Sequence, residues 1–143
     1  MKIELDKQLG FNLSRVTLLF RRELIRCLRD YNITPEQWQA MVHIWEKKTT
    51  TQTAIAAVTL QDPPSVSRMV GRLIKNGWVK KKESPDDKRE ILLSITSSGE
   101  KLEPVLPEKL ITNFKLFLQK FPEKDQEALL KLLIKLRVAL GDL

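Results

Sequence analysis

Residues 51–96 read TQTAIAAVTLQDPPSVSRMVGRLIKNGWVKKKESPDDKREILLSIT, and this stretch decides the fold. Asp62-Pro63-Pro64 is a helix start, with an aspartate at the cap and prolines where a missing N–H costs least. The helix is expected to run to about Asn76 and to stop at Gly77. At 100° per residue, Val66, Met69, Val70 and Leu73 fall on one side. Arg68, Arg72 and Lys75 fall on the other, with Ser65 close to them. One face is built to pack and the other to meet something anionic.

Upstream, a short helix is expected from about Thr51 to Val58, with Ala54, Ile55 and Val58 inward, and Thr59-Leu60-Gln61 making a tight turn. Downstream, two short strands are expected at about 78–83 and 90–96. Ile91, Leu93 and Ile95 alternate as in a half-buried strand. The polar tip between them is Ser84-Pro85-Asp86-Asp87-Lys88-Arg89. Two short helices, a tight turn and a hairpin describe a winged helix-turn-helix. The expected fold class is therefore mainly α with a small β-hairpin wing.

Farther out, Leu9, Leu13, Val16, Phe20, Leu24, Leu28 and Tyr31 recur at helical spacing, and Asn32 ends that helix. Thr34-Pro35-Glu36-Gln37 is a capping box that opens a helix with Trp38, Met41, Val42 and Trp45 on its apolar face. Lys47 to Thr50 read as a connector. Two more helices are expected over about 98–120 and 123–140, the first interrupted at Pro104 and Pro107 by a kink or irregular turn. Leu129, Leu132, Leu133, Leu136 and Leu140 stripe the last. The chain is divided as one compact domain, with residues 34–97 as the winged helix-turn-helix and residues 1–33 and 98–143 as a flanking helical region.

The 143 residues carry a formal charge of +7, which fits an anionic partner. From Arg68 to Lys82 there are six cations (Arg68, Arg72, Lys75, Lys80, Lys81, Lys82) and no acid. One cysteine and one histidine leave no disulfide framework, no multi-histidine or cysteine-rich metal site and no readily built His triad. With no nucleophile–base pair and no glycine-rich phosphate loop, an enzyme is not expected, nor is any cofactor. The absence of a long apolar run or a signal-like N-terminus leads to the expectation of a cytoplasmic protein without a membrane partner.

A helix face of this kind suits the major groove of double-stranded DNA. Arg68 or Arg72 can bridge guanine O6 and N7, while Ser65 and Ser67 can reach a base or phosphate. Lys75 and Lys80 to Lys82 suit phosphates. Lys88 and Arg89 sit on a projection that can enter a narrow, strongly negative minor groove. Asp86 is a turn residue; Asp87 either shapes the turn or pairs with Arg72 or Arg89 to orient the wing.

The ordered pieces Ser65-Val66-Ser67-Arg68-Met69-Val70, Leu73, Lys75-Asn76-Gly77-Trp78-Val79, Asp87-Lys88-Arg89, Leu93-Ser94-Ile95-Thr96 and Gly99 resemble the MarR family of bacterial transcriptional regulators. The resemblance runs from about Leu9 to the end. It implies that the 62–76 helix reads the major groove and that Arg89 of the Asp-x-Arg pair reaches the minor groove. It also implies a homodimer built from the first and last helices on a pseudo-palindromic operator, with repression relieved by a small aromatic or phenolic effector. Phe20, Trp38, His43 and Trp45 are the candidates to line an effector pocket, although aromatics at helical spacing are more often core. Cys27 lies in the first helix, where some relatives sense oxidants, but a packed cysteine is the simpler reading. The double proline and Trp78 depart from the family pattern. A winged-helix module that binds protein instead of DNA is the alternative.

Overall fold

The computed structural model describes residues 1–142 and forms two compact units, Met1–Leu110 and Ile111–Leu143. In the first unit, α1 (Leu9–Leu28) is followed by a 3-10 turn over Arg29–Tyr31, and Asn32 takes a left-handed φ of 54°. An asparagine tolerates that conformation, so the chain can turn sharply into α2 (Pro35–Lys47). The Thr34 hydroxyl accepts the Gln37 N–H at 3.2 Å, and the Gln37 side chain accepts the Thr34 N–H at 2.9 Å, forming the expected capping box.

Next come β1 (Thr49–Thr50), α3 (Gln52–Thr59), α4 (Pro63–Lys75), β2 (Val79–Glu83), β3 (Ile91–Ile95) and α5 (Ser97–Leu102). The strands form one antiparallel sheet in the order β1-β3-β2, with Thr50 opposite Leu93 and Lys81 opposite Leu93 from the other side. The stretch expected to be a connector thus supplies a third strand. Helix α6 (Leu106–Phe117) begins in this unit and continues into the second. Of the two alternatives at Pro104, the structure shows the turn, a break of three residues between α5 and α6. Pro107, at the second position of α6, lies where a missing N–H is harmless.

The core of the first unit gathers Leu28 from α1, Met41 and Ile44 from α2, Ile55 from α3, and Val66, Val70 and Leu73 from α4. Val79 and Leu93 of the sheet and Leu106 of α6 complete it. The inward face predicted for α4 is buried at all four positions. Two expectations fail. Val58 is 44 % exposed, because α3 is only eight residues long and its single buried side chain is Ile55. Ile91 is 42 % exposed: it lies at the wing end of β3, beyond the reach of the core that covers Leu93 and Ile95.

The second unit contains α7 (Glu123–Ala139), none of whose residues is buried in the single chain. An edge-to-face pair, Phe114 and Phe117, packs within α6 at 5.5 Å between ring centres. Among the described residues, no helix is long and apolar enough to cross a membrane.

Candidate nucleic-acid interface

The geometry of α4 follows from its two ends. Asp62 occupies the cap position, but its side chain makes no capping hydrogen bond to the backbone. The Ser65 hydroxyl beside it, aided by the Arg68 charge, holds the Asp62 carboxyl below its ordinary value. At the far end, Gly77 adopts φ 82°. Its N–H donates to the Ile74 carbonyl at 3.0 Å, and the Trp78 N–H donates to the Leu73 carbonyl at 3.1 Å. These paired bonds are a Schellman stop, which the left-handed glycine permits. The chain is thereby aimed directly into β2.

With Val66, Met69, Val70 and Leu73 anchored, the opposite face of α4 presents Ser67, Arg68, Arg72 and Lys75 to solvent, and Ser65 is half-buried. Arg68 Nη2 donates to Ser65 Oγ at 3.3 Å, so the expected serine and arginine are brought together. Lys80, Lys81 and Lys82 are exposed along β2, an edge strand. Lys88 and Arg89 are exposed at the wing tip. Among the described residues, none of these eight cations lies within 4 Å of a carboxylate, whereas Arg21, Arg26, Lys109 and Arg137 all do. Among the described residues, these cations are therefore not tied up in direct ion pairs.

Asp87 does not pair with a guanidinium. Its carboxylate accepts the Arg89 backbone N–H at 2.9 Å, and its carbonyl accepts the Glu90 N–H at 3.0 Å. A short carboxylate in a turn satisfies nearby backbone before it reaches a distant side chain. At the wing base, Thr96 Oγ1 donates to the Gly77 carbonyl at 2.6 Å, with a longer contact to the Trp78 carbonyl at 3.2 Å. It also accepts the Gly99 N–H at 3.1 Å. One hydroxyl thus joins the end of α4, the wing and the start of α5.

Of the four aromatic candidates, the structure brings Trp38 and Trp45 together. Trp38 and Trp45 meet edge to face at 5.7 Å, and Trp45 Nε1 donates to the Gly99 carbonyl at 3.3 Å. His43 Nε2 is 2.9 Å from Thr50 Oγ1, joining α2 to β1. Phe20 sits on α1, partly exposed. A different cleft of about 330 Å³ opens beside α4, lined by Arg21, Glu36, Gln61, Ser65, Arg68 and Arg72 among others. There Arg21 donates twice to the Glu36 carboxylate, at 2.5 and 3.2 Å. These bonds lower the Glu36 pKa and raise that of Arg21. Neither residue stood out in the sequence, since the pair spans two helices and fifteen positions. Cys27 is buried, with its Sγ 3.7 Å from Glu23 Oε1. Among the described residues, no cluster of three or more His, Cys, Asp or Glu could hold a metal.

An amphipathic helix closing a helix-turn-helix, joined to a β-wing and carrying uncompensated cations on both, defines the class of winged helix-turn-helix proteins. The MarR family model matches residues 33–91. The HTH-type transcriptional regulator YdcH of Bacillus subtilis is 32 % identical over 103 residues, covering 68 % of this chain and 70 % of that protein. A probable transcriptional regulator from Pseudomonas aeruginosa superposes with a TM-score of 0.85 at 26 % identity, over 93 % of this chain and 99 % of its own. The repressor CouR bound to a 23-mer DNA duplex shares the fold, with a TM-score of 0.87 at 21 % identity over 95 % and 99 % of the two chains. The chain belongs to the MarR family of transcriptional regulators.

Proposed function

We propose that this protein is a sequence-specific, double-stranded-DNA-binding regulator that acts as a homodimer, and that it is a repressor released by a small effector. The observation that carries the reading is the set of exposed cations on α4, β2 and the wing tip, none of which, among the described residues, lies within 4 Å of a carboxylate. A polyanion is the partner that neutralises such a surface, and releasing its counterions drives the association. In this reading Arg68 contacts base edges from the major groove, with Ser65 and Ser67 beside it, while Arg72, Lys75 and Lys80 to Lys82 hold phosphates. Lys88 and Arg89 enter the minor groove, where width as well as sequence is read.

The homodimer rests on apolar side chains that a single chain leaves in water. On α7, Leu132 is 63 % exposed, and Leu140, just past its end, is 76 % exposed. Each such leucine gains about 1.5–3 kcal/mol if fully buried, so a second copy is a strong sink for them. A twofold dimer would set two reading helices roughly 34 Å apart, matching a pseudo-palindromic operator. For the effector, the cleft beside Arg21, Arg68 and Arg72 has room for one aromatic ring. Its cations favour a carboxylate or phenolate over a neutral compound.

A duplex selected from random-sequence DNA by the wild-type protein supplies the probe. Arg68→Ala is expected to cost about 1–3 kcal/mol on that duplex and much less on a scrambled one. Equal loss on both would remove Arg68 from base reading. Failure to retain any duplex at low salt would favour a protein-binding module instead.

A further inference from the structure

The wing tip, residues 84–89, contains one residue that behaves unlike its neighbours. Ser84 is only 7 % exposed, whereas Pro85 through Arg89 are all exposed. A buried polar side chain in a solvent-facing loop needs a reason, and the hydrogen bonds provide it. Ser84 Oγ accepts the backbone N–H of Asp86 at 3.3 Å and of Asp87 at 3.4 Å, while the Ser84 N–H donates to the Glu90 carbonyl at 3.0 Å. Asp87 continues the chain of contacts by accepting the N–H groups of Arg89 and Glu90. The N–H groups on both sides of Lys88 are thus held by two side chains and one carbonyl, all within the tip.

Long bonds of this kind are weak singly. Acting together on a six-residue loop, they select one backbone conformation from many, and Pro85 narrows the choice further. The direction in which Arg89 leaves the hairpin is a property of that conformation. Among the described residues, Arg89 has no ion pair, and its backbone N–H is held by the Asp87 carboxylate.

We infer that Ser84 is a positioning residue for DNA binding: its hydroxyl preorganises the wing tip so that Arg89 is already aimed before the duplex arrives. This rests on the assignment of Arg89 to the DNA contact made above. Ser84 touches no DNA in this account. It acts through the backbone of Asp86 and Asp87, so its influence should vanish when Arg89 has no contact left to make.

The experiment is a double-mutant cycle in the full-length protein, read as affinity for the duplex selected by the wild type. Ser84→Ala is expected to weaken binding about two- to tenfold, the range spanned by one lost hydrogen bond. Ser84→Thr, which keeps the acceptor, is expected to restore it. In an Arg89→Ala background, Ser84→Ala should change affinity by less than about twofold. Amide exchange at Asp86 and Asp87 should quicken in Ser84→Ala but not in Ser84→Thr, a readout available even without DNA. Unchanged affinity in Ser84→Ala while Arg89→Ala still weakens binding would overturn the inference alone. So would a Ser84→Ala loss that persists in full without Arg89. If Arg89→Ala itself leaves affinity unaltered, the wing contact falls, and this inference falls with it.

Discussion

Replacing Thr96 by valine removes a single oxygen at the point where the reading helix, the wing and α5 meet. Valine has nearly the same shape, and the backbone bond from the Thr96 N–H to the Trp78 carbonyl, 3.0 Å, is retained. What disappears is the 2.6 Å bond to the Gly77 carbonyl and the cap on the Gly99 N–H. Losing an N-cap costs about 0.5–2 kcal/mol. The exposed Gly77 carbonyl can turn to water, so its bond adds only about 0.5–1 kcal/mol. The sum is about 1–3 kcal/mol, or roughly 4–10 °C in the unfolding midpoint of a unit of this size. Thermal unfolding followed by circular dichroism at one fixed protein concentration measures it, because association would otherwise move the midpoint. Thr96→Ser keeps the oxygen and should lie within about 2 °C of the wild type. If valine and serine variants melt together at the wild-type midpoint, the hydroxyl does not tie these elements together and the reasoning is refuted.

Gly99 carries the companion prediction: an added Cβ would sit 2.5 Å from the Trp78 carbonyl oxygen and 2.6 Å from Ile95 Cγ2. Gly99→Ala should therefore destabilise by at least about 1–3 kcal/mol in urea unfolding, and an unchanged midpoint would mean the junction is loose. The Arg21–Glu36 bond lowers the folded pKa of Glu36, so its contribution is present above the unfolded carboxyl's pKa and is lost as pH falls through the depressed folded value. The stability gap between wild type and Glu36→Gln should accordingly be largest near neutral pH and shrink under acid; a gap independent of pH would contradict the pairing. Leu132→Glu places a charge on the exposed apolar side of α7. Sedimentation should show it shifted to monomer with weakened duplex binding, and an unaltered dimer would remove α7 from the interface.

The periodic and locally capped features were legible in the sequence because their physics is local. Val66, Met69, Val70 and Leu73 announce a packed face at helical spacing, and all four are buried. Thr34 and Gln37 form their box within three residues, and Gly77 marks the end of α4 by its own backbone freedom. Features that join distant residues left no such mark. Strand β1 is two threonines long and exists only through its pairing with Ser94 and Leu93. The Arg21–Glu36 pair depends on how α1 lies against α2, which no pattern within either helix encodes. Ser84 resembled any turn serine; only its burial distinguished it. Val58 misled because its spacing from Ile55 is helical, yet a two-turn helix buries little beyond its middle. Asp87 could serve either the turn or an arginine by its sequence alone, and its carboxylate lies on the turn.

The exposed cations of α4, β2 and the wing are the surface proposed to bind duplex DNA. The most direct test is the salt dependence of affinity for a selected duplex, measured by fluorescence anisotropy. If four to eight phosphates are neutralised, log affinity should fall against log salt with a slope of about −4 to −7. Changing both Arg68 and Arg89 to alanine should flatten that slope and abolish preference for the selected sequence. A slope near zero, or a double variant that matches the wild type at every salt concentration, would contradict the claim.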